Sequence, residues 1–172
     1  MTSLRIFVAN RLQATLNNNS IDLLIASSPD CIKYVSGYYP VVPSFLSTVE
    51  AYCVCSGSGE KIFICAASDI PNAVESDAFD DIYIYDNFYF NILDNSTAFN
   101  DSVRNVFNNS FPTPSDAISA ACKTLCPKAR RIALEERSVS IETWEHLKTR
   151  MNDVEILLGF QFLQEMKSIK HP

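Results

Sequence analysis

Ile21-Asp22-Leu23-Leu24-Ile25-Ala26 runs without a break into Ser27-Ser28-Pro29-Asp30-Cys31-Ile32-Lys33-Tyr34-Val35-Ser36-Gly37. The first six residues form a short apolar run, read as a buried strand. Ser28-Pro29-Asp30 then has the order of a helix start: a capping hydroxyl, proline at the first position and an acid in the first turn. Gly37 ends that helix. A buried strand passing directly into a helix is the unit from which α/β layers are built.

The pattern extends in both directions. Upstream, Leu4, Phe7, Val8, Leu12 and Leu16 recur at helical spacing, and the helix stops in Asn17-Asn18-Asn19. Downstream lies a loop rich in Tyr and Pro, Tyr38 to Pro43. Val49 to Cys55 and Lys61 to Cys65 are strands joined by the turn Ser56-Gly57-Ser58-Gly59, a β-hairpin. Ser68-Asp69 caps a short helix, and Asp81 to Tyr85 is a strand. Residues 86–111 are biased to Asn, Asp and Phe, with Phe99, Val103, Val106 and Phe107 keeping a helical face. Thr113-Pro114-Ser115-Asp116 opens a helix that ends near Cys126-Pro127. Arg131 to Glu135 is a strand, Ser140 caps a helix to about Met151, Val154 to Leu157 is the last strand, and Gly159 to Lys170 the last helix. The expected class is α/β, a mixed β-sheet flanked by helices.

A chain of 172 residues suits one compact domain that buries roughly 70% of its unfolded surface. Its 47% hydrophobic and 20% charged residues exclude a disordered chain. No stretch approaches the ~18 apolar residues of a membrane span. Arg5 and Arg11 interrupt any secretion-signal core, so a cytoplasmic location is expected. With a net charge of −6 and basic residues that do not cluster enough to offset the acidic balance, neither nucleic acid nor membrane is an expected partner. Segment 68–116 holds nine Asp/Glu against Arg104 alone, read as solvated surface.

Six cysteines, Cys31, Cys53, Cys55, Cys65, Cys122 and Cys126, fit no common zinc knuckle and read as small buried hydrophobes. The sequons at Asn18, Asn95, Asn100 and Asn108 reflect only Asn- and Ser-rich loops. Catalytic devices are scarce. With four glycines there is little room for a phosphate loop or dinucleotide fingerprint. Only His146 and His171 could serve a triad; the first reads as a surface or structural residue, the second as terminal. Glu135-Glu136 follow a strand, where adjacent side chains point to opposite faces, so capping or ion pairing is expected rather than paired acid–base work.

Four segments together resemble the N-terminal domain of the creatinase/prolidase/aminopeptidase P family. Arg11-Leu12-Gln13-Ala14 through Ile25 resembles its opening helix and D-A-L-L-V strand. Ser28 to Tyr38 resembles S-P-E-N-I-R-Y-L-S-G-F. Arg131-Ile132-Ala133-Leu134-Glu135-Glu136 with Ser140 to Leu147 resembles R-I-G-V-E-E and its helix. Met166-Lys167-Ser168-Ile169-Lys170-His171-Pro172 resembles the R-x-I-K-S-P junction. Their order and approximate spacing match over essentially the whole chain, apart from 86–111.

The resemblance implies a ribonuclease-H-like, non-catalytic domain at 1–160 and a linker helix at 161–172. It implies a partner, a pita-bread catalytic domain holding two divalent metal ions (Mn, Zn or Co), with no cofactor or metal in this chain itself. It also implies a role in building a homodimer and in narrowing access to a Xaa-Pro dipeptidase or aminopeptidase site. Tyr38, Tyr39, Pro40 and Phe45 are then the substrate-proximal candidates, the alternative being that they pack in the domain's own core or against the surface of the catalytic domain. Phe160, Leu163, Met166 and Ile169 are expected to form an exposed apolar docking face. A free-standing interaction module of the same fold is the second reading, and a metal-binding thiol protein the third.

Overall fold

The structure, a computed structural model, describes residues 3–86 and 97–168. The elements follow in the order α1 (Ser3–Asn19), β1 (Leu23–Ala26), α2 (Pro29–Ser36), β2 (Tyr52–Ser56), β3 (Lys61–Ala66), α3 (Ile70–Ser76), β4 (Asp81–Tyr85), α4 (Ala98–Val106), β5 (Ser110–Phe111), α5 (Pro114–Leu125), β6 (Arg131–Leu134), α6 (Ile141–Arg150), β7 (Glu155–Leu158) and α7 (Phe160–Ser168).

The strands make one sheet in the order β5-β4-β3-β2-β1-β6-β7. β2 pairs antiparallel with β1 and β3, and the other pairings are parallel. The expected mixed sheet between helices is therefore the fold. Leu24 lies opposite Cys55 on one side and Ala133 on the other. Side chains alternate across the sheet. Leu24, Ala26, Cys53, Cys55, Phe63 and Ile84 pack under α1, α2, α3, α4 and α7. Leu23, Ile25, Tyr52, Val54, Ile64 and Leu134 pack under α5 and α6. Burial on both faces is why the central strands read as unbroken apolar runs.

Hydroxyl caps set the helix starts. Ser28, Thr97, Thr113 and Ser140 accept the N–H of Cys31, Asn100, Asp116 and Thr143 respectively. Gly37 closes α2 at φ +86°, donating its N–H to the Lys33 oxygen at 2.8 Å, a conformation that costs an L side chain about 1–2 kcal/mol. Gly159 meets a different constraint: a Cβ there would lie 2.6 Å from the Leu134 carbonyl carbon.

Three local readings are corrected. Asp69 does not cap α3 with its side chain; it is fully buried and its carboxylate accepts the Val42 N–H at 3.4 Å. β2 begins at Tyr52 rather than Val49, because the main chain of Glu50 is taken by the Tyr85 hydroxyl instead of a neighbouring strand. The edge strand β5, two residues long, is too short for a period to reveal.

Candidate functional site

The carboxyl ends of β1 and β6 lie side by side, and the turn after each carries polar residues. Glu135 is 1% exposed. Its Oε2 accepts the main-chain N–H of Ser27 at 2.8 Å and of Ser28 at 2.9 Å, and its Oε1 accepts the Ser28 hydroxyl at 2.6 Å. The Ser27 hydroxyl in turn donates to the Glu135 main-chain oxygen at 2.8 Å. Glu136 accepts the N–H of Phe160 at 3.1 Å, at the start of α7. Both carboxylates therefore satisfy orphan N–H groups at helix starts, and the expected capping role holds. Glu50 does the same for α6, accepting the Ser140 N–H at 2.6 Å and the Thr143 hydroxyl at 2.7 Å.

Above these clasps the loop 38–50 and the turn 137–140 enclose a cavity of about 350 Å³, with Ser27, Pro43, Thr48, Glu50, Arg137 and Ser138 in its walls. The Arg137 guanidinium lies 3.5 Å over the Phe160 ring.

The structure splits the substrate-proximal candidates. Tyr38 is buried, its ring edge-on to Phe63 at 5.3 Å and Phe79 at 5.5 Å between centroids. Burial first, and the Asp69 carboxylate second, push its phenol above the usual tyrosine range. Pro40 is buried as well. These two pack in the domain's own core, the alternative reading for them, because the chain turns back over the sheet after Gly37. Tyr39 and Phe45 are exposed, Phe45 by 66%, and sit with exposed Val41 and Leu46. Two of the docking candidates are not exposed as expected. Leu163 and Met166 are 0% and 1% exposed and close the core against α1 and α2. Tyr34 holds α7 there by donating its hydroxyl to the Met166 oxygen at 2.9 Å. Phe160 is partly covered by Arg137, and Ile169 lies outside the described residues.

Sequence reading missed Val41, Leu46, Ile141 and Leu158 as exposed apolar groups. Only the lack of any helical or strand period in 39–46 could have signalled the first two. The thiols are free, and five of the six are buried. Cys53 and Cys55 stand 3.5 Å apart on β2, and burial pushes the Cys122 thiol up to about 12. Among the described residues, no three of His, Cys, Asp and Glu are grouped to hold a metal ion. No described helix is long and apolar enough to cross a membrane.

Residues 9–161 match the family model of the creatinase/prolidase N-terminal domain. Solved structures share the fold. An aminopeptidase P from Streptococcus thermophilus is 14% identical with a TM-score of 0.63, covering 96% of this chain and 99% of that one. A proline dipeptidase from Streptococcus pneumoniae is 19% identical with a TM-score of 0.63, covering 99% and 100%. The prolidase from Pyrococcus horikoshii is 14% identical with a TM-score of 0.60, covering 95% of this chain but 35% of that one. No curated protein is similar to the chain by sequence.

Proposed function

Because the chain belongs to the creatinase/prolidase N-terminal domain family, we propose that it is the non-catalytic front domain of a metal-dependent Xaa-Pro dipeptidase or aminopeptidase-like hydrolase. Its work is to dock on a pita-bread catalytic domain, to help build a homodimer, and to narrow the approach to the active site. The loop 38–50 is the face it offers, with Tyr39 and Phe45 nearest the substrate path. The observation that carries this is the exposure of Tyr39, Val41, Phe45 and Leu46 together on one loop. Apolar side chains gathered in this way mark a surface that is covered in use.

The two divalent ions of such a hydrolase belong to the catalytic domain. The described residues here do not fit them, having no ligand group of three, and no step of hydrolysis is assigned to this chain. Arg137 and the hydroxyls beside it could position a partner's carboxylate, since an arginine fork matches that geometry.

The test is the size and activity of the protein in its source cells. An immunoblot band at more than twice 19.3 kDa, with Mn²⁺-stimulated Xaa-Pro cleavage in the immunoprecipitate and none by the 172-residue chain, is the expected result. A band at 19.3 kDa alone overturns it in favour of a free-standing interaction module.

A further inference from the structure

At the opposite end of the sheet, the amino ends of β6 and β7 border a second cavity, of about 570 Å³. Lys123, Lys128, Arg130 and Arg150 all contribute to its walls, against Asp153 as the acid among them. All four cations are exposed. Lys123, Lys128 and Arg130 follow one another closely in the sequence, and it is the descent of α6 to the same end of the sheet that adds Arg150 to them. Arg150 is held 2.7 Å from Asp116. Arg130 reaches only the main-chain oxygen of Asp153, at 3.5 Å. The nearby Asp22 spends one carboxylate oxygen on the N–H groups of Arg130 and Arg131, and Glu155 is held by Arg131. Among the described residues, Lys123, Lys128 and Arg130 have no carboxylate partner.

Helix ends explain part of this. Lys123 and Arg150 stand in the last turns of α5 and α6, where cations complement the helix dipole. Lys128 and Arg130 lie in the loop beyond α5 and answer to no helix end. One carbonyl in the last turn of each helix is engaged by the main chain: Cys126 donates to the Cys122 oxygen at 2.8 Å and Met151 to the Leu147 oxygen at 2.9 Å. The floor is apolar, with Cys122 and Met151 buried.

We propose that this cleft binds a small, multiply charged phosphate compound, a di- or triphosphate. Its volume lies within the range of about 300–1,000 Å³ usual for small-molecule sites. Several cations around one concavity match several charges on one ligand, with arginine supplying a fork and lysine a point charge. A nucleic acid would want a basic stripe rather than a pocket, and the chain's net charge of −6 opposes it. The cleft is remote from loop 38–50, so this inference and the docking reading stand or fall separately.

The experiment is a calorimetric titration of the 172-residue chain with inorganic tripolyphosphate and with monophosphate at ~0.15 M salt. Saturable binding of tripolyphosphate, tighter than monophosphate, is expected. The pair Lys123→Glu and Lys128→Glu should weaken it by at least about tenfold, the equivalent of one good charged contact. The pair Lys33→Glu and Arg104→Glu, which makes the same change in net charge elsewhere, should leave it within about twofold. Thermal unfolding confirms that each variant is folded. Absence of saturable binding at that salt, equal affinity for monophosphate, or equal weakening by both pairs overturns the proposal.

Discussion

Glu135 shows how one side chain ties distant segments together. Its carboxylate holds two N–H groups and a hydroxyl of the β1–α2 turn, 107 and 108 residues away in sequence. Replacing it by alanine orphans one buried donor, the Ser27 N–H, at about 1–3 kcal/mol, and two half-buried donors of Ser28, which water can partly satisfy. Glu135→Ala should therefore lower the unfolding free energy by ~2–4 kcal/mol, while Glu135→Gln, which keeps one acceptor, loses less. Urea denaturation measures both, and equal small losses would show the clasp to be idle. That Glu135 would cap was legible from its place after a strand. Which N–H groups it would reach was not, because the partner depends on β1 lying beside β6. Asp69 behaves differently. It is buried with one carboxylate oxygen lacking any donor, and burial raises its pKa despite the N–H groups of Val42 and Val41. The folded chain thus holds this proton more tightly than the unfolded chain does. Asp69 contributes a loss of stability as pH rises from ~4, the ordinary aspartate value, through its raised folded value. Asp69→Asn should remove that slope and raise the melting temperature at pH 7. An unchanged pH profile would sink the idea.

Among the elements, those with local signals were readable. The α2 start at Ser28-Pro29-Asp30 and its stop at Gly37 follow from caps and backbone preference, and the β2–β3 hairpin from its Ser-Gly turn. β5 and the start of β2 were not, since two residues carry no period and Glu50 is diverted by side chains from β4 and α6. α7 was legible as a helix but not in its role. Sequence reading makes it a linker with an outward apolar face, whereas Leu163 and Met166 are turned into the core. A spacing of three gives one helix face but cannot say whether that face meets its own domain or another. Leu163→Ala decides between them. As a core residue it should cost about 2–5 kcal/mol in chemical denaturation. As part of a linker it would cost within ~0.5 kcal/mol, the range of ordinary surface substitutions.

At the scale of the molecule, the two ends of the sheet differ in character. Six strands point their carboxyl ends one way with β2 opposed, so the loops at that end bring exposed Phe45 and Leu46 to the surface, and the amino end gathers Lys123, Lys128 and Arg130. Each of these groups is local in the sequence; what could not be read there is the end of the sheet each would occupy, because strand order comes from pairings between residues far apart in the chain. Exposed apolar side chains cost solubility without adding to the fold, which gives the docking reading a consequence on the chain by itself. Uncovered, the loop should bind a hydrophobic reporter dye. The pair Phe45→Asp and Leu46→Asp should abolish most of that fluorescence and leave stability within ~0.5 kcal/mol, because neither side chain supports the core. Carried into the longer polypeptide that the docking reading requires, the same pair should speed proteolysis between the domains and raise KM for Xaa-Pro substrates more than it lowers kcat. If the dye signal persists in the double variant, or if the substitutions unfold the domain, loop 38–50 is part of the fold's own support and another face must do the docking.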